Sequence, residues 1–139
     1  MSNEYESALA EHSSEIVSAA VDYAGSGVED VFVYLSTEDM LFGDVFFRQH
    51  GEVVDTVGIQ GVDTSGERQR ALMSYIVAQL RLLVKAARDN DQPVPSEMRL
   101  RYDVRDDHLT SELRYGSLGL RSNESESDLV ARWMQSERG

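Results

Sequence analysis

Cysteine is absent from all 139 residues, which removes disulfides, zinc–thiolate sites and thiol nucleophiles at the outset. Lysine occurs once, at Lys85, against 12 arginines. Basic residues of either kind are nearly missing from the first half. Residues 1–66 carry Arg48 alone against 13 acids, and residues 67–139 carry 12 of each sign, so the net charge of −12 arises wholly before residue 67. A field of that sign repels nucleic acid and attracts basic proteins, so the expected partner is a basic protein, with no contact to DNA or RNA. Long apolar runs are also lacking. Val31–Leu35 is typical, whereas a bilayer span needs about 20 residues. The acidic start MSNEYESALAEH does not follow the basic-then-apolar plan of a secretory signal. The expectation is a cytoplasmic protein without membrane attachment, a single domain over residues 1–139.

What is present divides cleanly into elements. Over residues 4–24, Tyr5, Leu9, Ile16, Ala20 and Tyr23 recur at helical spacing, and Glu4, Glu11, Glu15 and Asp22 fall on a second, narrower arc. Gly25-Ser26-Gly27 ends that helix. DVFVYLS (30–36) is β-branched and aromatic enough for a central strand. DVFFRQH (44–50) and EVVDTVGI (52–59) flank Gly51, whose tolerance of positive φ suits a tight hairpin. Thr64-Ser65-Gly66-Glu67 has the spacing of a capping box and opens a helix reaching about Asn90. Its apolar face holds Leu72, Met73, Ile76, Val77, Leu80, Leu83, Val84 and Ala87, with Arg70, Arg81, Lys85 and Arg88 on the other side. Pro93 and Pro95, the only prolines, break it.

Residues 97–116, EMRLRYDVRDDHLTSELRYG, alternate apolar and charged residues as a half-buried hairpin does. A turn at Asp106-Asp107 pairs Met98 with Tyr115, Leu100 with Leu113, Tyr102 with Ser111 and Arg101 with Glu112. On that reading the arginines at 99, 101, 105 and 114 form the solvent side of a sheet. A Gly/Ser/Asn loop (116–123) leads to a short helix over 125–137, anchored by Trp133. The order α-β-β-β-α-β-β-α predicts an α+β domain, an antiparallel sheet packed against helices.

Residues for catalysis are not arranged in any recognised pattern. His12, His50 and His108 stand outside His-x-x-x-His or Glu-x-x-His spacing, and Asp106-Asp107-His108 reads as a turn rather than a metal set. No G-x-S-x-G elbow and no lysine-bearing phosphate loop occurs. The expectation is a non-catalytic protein with no metal and no cofactor.

Several strings carry a resemblance. The FF-x-x-x-G-E-V hairpin (Phe46, Phe47, Gly51, Glu52, Val53), the P-x-E-x-x-L-x-Y-D string (Pro95, Glu97, Leu100, Tyr102, Asp103), the long helix between them and Trp133 in a terminal helix together resemble the YezG-like immunity proteins over nearly the whole chain. The chain departs from that pattern in having Gly27-Val28-Glu29-Asp30 where a tryptophan often precedes the first strand, and Asp106-Asp107-His108 where an Asp-Gly hairpin is common. The resemblance implies an antitoxin that binds and blocks the toxic domain of a bacterial polymorphic toxin, often a nuclease. Combined with the charge distribution, it points to Glu4, Glu11, Glu15 and Asp22 on the first helix, with Glu38, Asp39 and Asp44 near the first strands, as the partner-binding residues. The element order also resembles dimeric chaperones of type III secretion effectors, an alternative in which the protein is a homodimer built on Val31–Leu35 or the long helix. Sequence alone leaves monomer or homodimer open.

Overall fold

In the computed structural model, which describes residues 3–120 and 123–139, α1 (Asn3–Ala24) precedes β1 (Asp30–Ser36), β2 (Phe42–Gln49) and β3 (Glu52–Val54). The long α2 (Gly66–Asp89) follows, then β4 (Glu97–Asp103), β5 (His108–Arg114) and α3 (Glu126–Arg138). This is the expected α+β order. Residues 121 and 122 of the loop read over 116–123 lie outside the described residues.

The five strands form one antiparallel sheet in the order β3-β2-β1-β4-β5. β1 is its centre, paired along its full length with β2 on one edge and β4 on the other, and all seven of its residues are buried. That explains the density of large apolar residues in DVFVYLS, since both faces of a central covered strand need them. The same fact closes Val31–Leu35 to a second copy of the chain, so the strand suggested above as a dimer surface is internal.

The helices divide between the two faces. α1 and α2 lie side by side on one face, where Ile16, Ala20, Tyr23, Ile76, Leu80 and Leu83 meet Val31, Val33, Leu35, Val45, Phe47 and Leu100. α3 covers the other face, where Val130 and Trp133 meet Phe32, Tyr34, Phe46 and Val53. Trp133 stands edge-on to Phe46 at 5.0 Å and to Phe32 at 5.7 Å between ring centroids, a favoured aromatic geometry. Gly43 allows α2 to approach β2 closely. A Cβ there would lie 2.7 Å from Ile76 Cγ2.

Local rules set most boundaries. α1 ends where Gly25, at φ 78°, donates its N–H to the Val21 carbonyl at 2.9 Å. His50 (φ 54°) and Gly51 (φ 76°) form a two-residue turn with both φ positive, the twist that suits a hairpin. The strand expected over 52–59 is shorter, because Asp55 Oδ1 accepts the N–H groups of Val57 and Gly58 and curls the chain away from the sheet after Val54. The cap of α2 is Ser65 rather than Thr64. Ser65 Oγ accepts from Arg68 N at 3.3 Å.

The second hairpin keeps the expected parity but not the expected register. Met98 opposes Leu113, Leu100 opposes Ser111, Arg99 opposes Glu112 and Arg101 opposes Thr110, two residues from the pairing that a turn at Asp106-Asp107 would impose. The connection is four residues long, 104–107. Asp103 Oδ1 accepts from Asp106 N at 3.1 Å, and only Asp107, at φ 50°, takes a positive φ. A two-residue turn of matching twist needs positive φ at both positions (type I′) or at the first (type II′), which Asp106-Asp107, without a glycine, accepts poorly.

Candidate partner-binding surface

The four acids of α1 stand on one outward stripe. At 3.6 residues per turn, positions 4, 11, 15 and 22 project within about 40° of one another. All four residues are exposed, while Tyr5, Ile16, Ala20 and Tyr23 are buried on an arc centred roughly 120° away. Among the described residues, no lysine or arginine comes within ion-pair distance of Glu4, Glu11, Glu15 or Asp22. Glu11 has only His12 Nε2 at 3.9 Å. Glu15 accepts a hydrogen bond from the Tyr75 hydroxyl at 3.3 Å.

The acids on the other face of the sheet differ. Asp30 Oδ2 meets Arg48 Nε at 3.1 Å and Arg101 Nη2 at 3.8 Å, and Glu137 Oε1 meets Arg48 Nη2 at 3.2 Å and Arg101 Nη1 at 3.4 Å. Burial pushes the Asp30 carboxyl above its usual range, and the Arg101 and Arg48 guanidiniums pull it back. Glu97 is buried, accepts from the Tyr34 hydroxyl at 2.6 Å and lies 3.4 Å from Arg99 Nε. The guanidinium of Arg99 stacks on Trp133 at 5.2 Å and on Tyr34 at 5.7 Å, and that of Arg101 on Phe32 at 5.2 Å. Arg99 is therefore half-buried at the edge of α3 rather than free in solvent, and Arg101 keeps the expected exposure while its guanidinium lies over Phe32. Arg105 and Arg114 are exposed as well. Asp30, Glu97 and Glu137 are matched by arginines, and Glu4, Glu11, Glu15 and Asp22, among the described residues, are not.

The remaining acids named from sequence do not join the stripe. Glu38 is exposed, but its Oε1 accepts from Leu118 N at 3.2 Å and Ser117 Oγ at 3.4 Å, which ties the connection after β5 to that after β1. Asp39 lines a separate cleft of about 610 Å³ beside Arg81, Lys85 and Arg88. Asp44 opposes Tyr34 in the register and so stands on the face of the sheet away from α1. It is half-buried, and burial pushes its carboxyl up while a hydrogen bond from its neighbour Val45 N (2.8 Å) and the charge of Asp55 act in opposite directions.

Beside the stripe, α1 and α2 enclose a cleft of about 410 Å³ lined by Glu15, Ser18, Ala19, Asp22 and Tyr23 from α1 and by Arg68, Ala71, Leu72 and Tyr75 from α2. At one end the Arg68 guanidinium lies 4.5 Å over the Tyr23 ring and donates to the Tyr23 and Asp63 carbonyls. The residues from α2 escaped sequence reasoning. Tyr75 next to the buried Ile76 was the only signal, and it becomes meaningful only once α1 is known to lie alongside.

The histidines lie apart. His12 Nδ1 is 2.7 Å from Gln79 Oε1, His50 is in the β2–β3 turn, and His108 begins β5 opposite Asp103. Among the described residues no three His, Asp or Glu side chains gather as a metal site requires, and no helix is long and apolar enough to cross a membrane. No family model matches the chain, and no curated protein matches it.

Proposed function

We propose that this protein is a non-catalytic immunity protein that binds and blocks a basic toxin, such as a nuclease, inside the cell that produces it. The observation that carries the reading is the contrast in charge pairing. Asp30, Glu97 and Glu137 are matched by arginines, whereas Glu4, Glu11, Glu15 and Asp22 stand together on α1 with no arginine or lysine of the described residues within ion-pair distance. Like charges four residues apart, as at Glu11 and Glu15, cost a helix a few tenths of a kcal/mol. A surface that keeps them is suited to an incoming positive patch. A nuclease must be basic where it holds phosphate, and an acidic face both occludes such a site and speeds association through long-range attraction. Inhibition would be by occupation, with no turnover.

The test is capture of partners from native cells at low salt with wild-type protein and with the Glu4→Gln/Glu11→Gln/Glu15→Gln/Asp22→Asn variant. The reading expects one protein with a basic domain to be retained by the wild type and lost with the variant, and its co-expression with the wild type to relieve toxicity. Equal retention by both would move the interface elsewhere. Recovery of a secreted effector through its N-terminal segment, with the protein running as an obligate dimer, would favour the chaperone alternative, whose dimer would then use the outward side of α2, where Leu82 and Tyr75 are exposed.

A further inference from the structure

Charge alone does not describe the cleft between α1 and α2. Glu15 and Asp22 stand two turns apart on its α1 side, with Ala19 between them, and Ala71, Leu72 and Tyr75 face them from α2. Tyr75 is 40% exposed, and its hydroxyl bonds to Glu15, so an accessible ring stands beside a carboxylate. The far end shows what these walls accept, because the Arg68 guanidinium already lies on the Tyr23 ring there, held by two carbonyls. The portion beside Glu15, Asp22 and Tyr75 offers apolar floor, ring and carboxylates, yet no cation within ion-pair distance of either acid among the described residues.

We propose that this cleft is a socket for one arginine side chain of a protein partner. Its methylenes would rest on Ala19, Ala71 and Leu72, and its guanidinium would lie between the carboxylates of Glu15 and Asp22 against the Tyr75 ring. Arginine fits better than lysine. A planar, weakly hydrated guanidinium stacks on an aromatic face and bonds carboxylates with two parallel N–H groups, whereas an ammonium holds its water more tightly. The inference rests on α1 being the partner-binding face and narrows it from a charged surface to one side-chain type.

The test uses fluorescein-labelled hexa-arginine and hexalysine peptides, with binding followed by fluorescence anisotropy at low salt. The expected result is tighter binding of hexa-arginine, with affinity falling about tenfold in Ala19→Trp, which fills the cleft without changing any charge. Tyr75→Leu, an exposed position where the substitution keeps an apolar side chain but removes the aromatic face, is expected to erase the preference for arginine over lysine. It decides the matter should Ala19→Trp fail to fold. If hexa-arginine binds Tyr75→Leu with its wild-type affinity and preference, the socket is overturned while the acidic face stands. If neither peptide binds wild-type protein, the socket and the acidic face fall together.

Discussion

Two side chains show how burial decides what a polar group does here. Tyr34 is fully buried, and its hydroxyl donates to Glu97 at 2.6 Å, an arrangement that burial and the carboxylate together push far above the ordinary tyrosine titration range. Tyr34→Phe leaves a buried carboxylate oxygen without its donor and is expected to cost about 2 kcal/mol, read from urea unfolding at pH 7. A loss below about 0.5 kcal/mol would mean that Arg99 or solvent replaces the hydroxyl. Asp44 presents the opposite case, a half-buried carboxyl whose titration is pushed up chiefly by burial. A raised native value means that the folded state holds the proton more tightly than the unfolded one. Stability therefore falls as pH rises from the unfolded carboxylate value through the native one. Asp44→Asn keeps an oxygen for Val45 N and has no charge to desolvate. Its thermal midpoint is expected to match wild type at about pH 3 and exceed it at pH 7. A gap that narrows with rising pH would show that the Asp44 charge stabilises the fold.

At the scale of elements, α2 and α3 are held by different means. α2 seats on β2 through shape, since Gly43 leaves room for the Ile76 methyl that a Cβ would meet at 2.7 Å, with Leu35 Cδ2 at 3.4 Å on the other side. Gly43→Ala is expected to destabilise by about 1–3 kcal/mol through overpacking. Ile76→Leu, which removes the methyl branching at Cβ, should recover part of that loss, so a double-mutant cycle gives a favourable coupling between the two positions. Additive losses would place the strain elsewhere. α3 depends on an anchor and a rim. Trp133 packs on Phe32 and Phe46, and Glu137 sits between Arg48 and Arg101. Trp133→Ala is expected to cost about 3–5 kcal/mol, followed by far-ultraviolet circular dichroism because the chain's one tryptophan is gone. The element boundaries were largely legible because capping residues, turn glycines and the 3.6 and 2 periodicities act over a few residues. Thr64 failed as the cap because Ser65, although Arg68 rather than an acid stands three residues on, takes the capping position and accepts the Arg68 N–H. β3 was overread because nothing in EVVDTVGI shows that Asp55 folds back on its own backbone.

The whole molecule separates its charges. Asp30 and Glu137 are locked to Arg48 and Arg101 around α3, whereas Glu4, Glu11, Glu15 and Asp22 form an exposed stripe on α1, outside the packed layers. The four-acid variant of α1 should therefore fold with at least the wild-type thermal midpoint at low salt, since it removes like-charge repulsion and no burial. With a basic partner in hand, its association rate should drop and lose most of its dependence on ionic strength, as stopped-flow mixing would read. An unchanged low-salt rate would rule out this surface as the steering face.

From the residues alone came the element order, the α+β class, the central character of DVFVYLS, the hairpin at Gly51 and the acid arc of α1. Each rests on interactions between near neighbours in the chain or on the period of one element. Tertiary structure alone decided which face each helix covers, the packing of Arg99 and Arg101 against the Trp133, Tyr34 and Phe32 rings, and the meeting of Glu15 and Asp22 with Tyr75. These depend on pairs far apart in the chain, such as Tyr34 with Glu97 and Glu15 with Tyr75. Such pairs form only when whole elements choose their packing partners, a choice that periodicity leaves open.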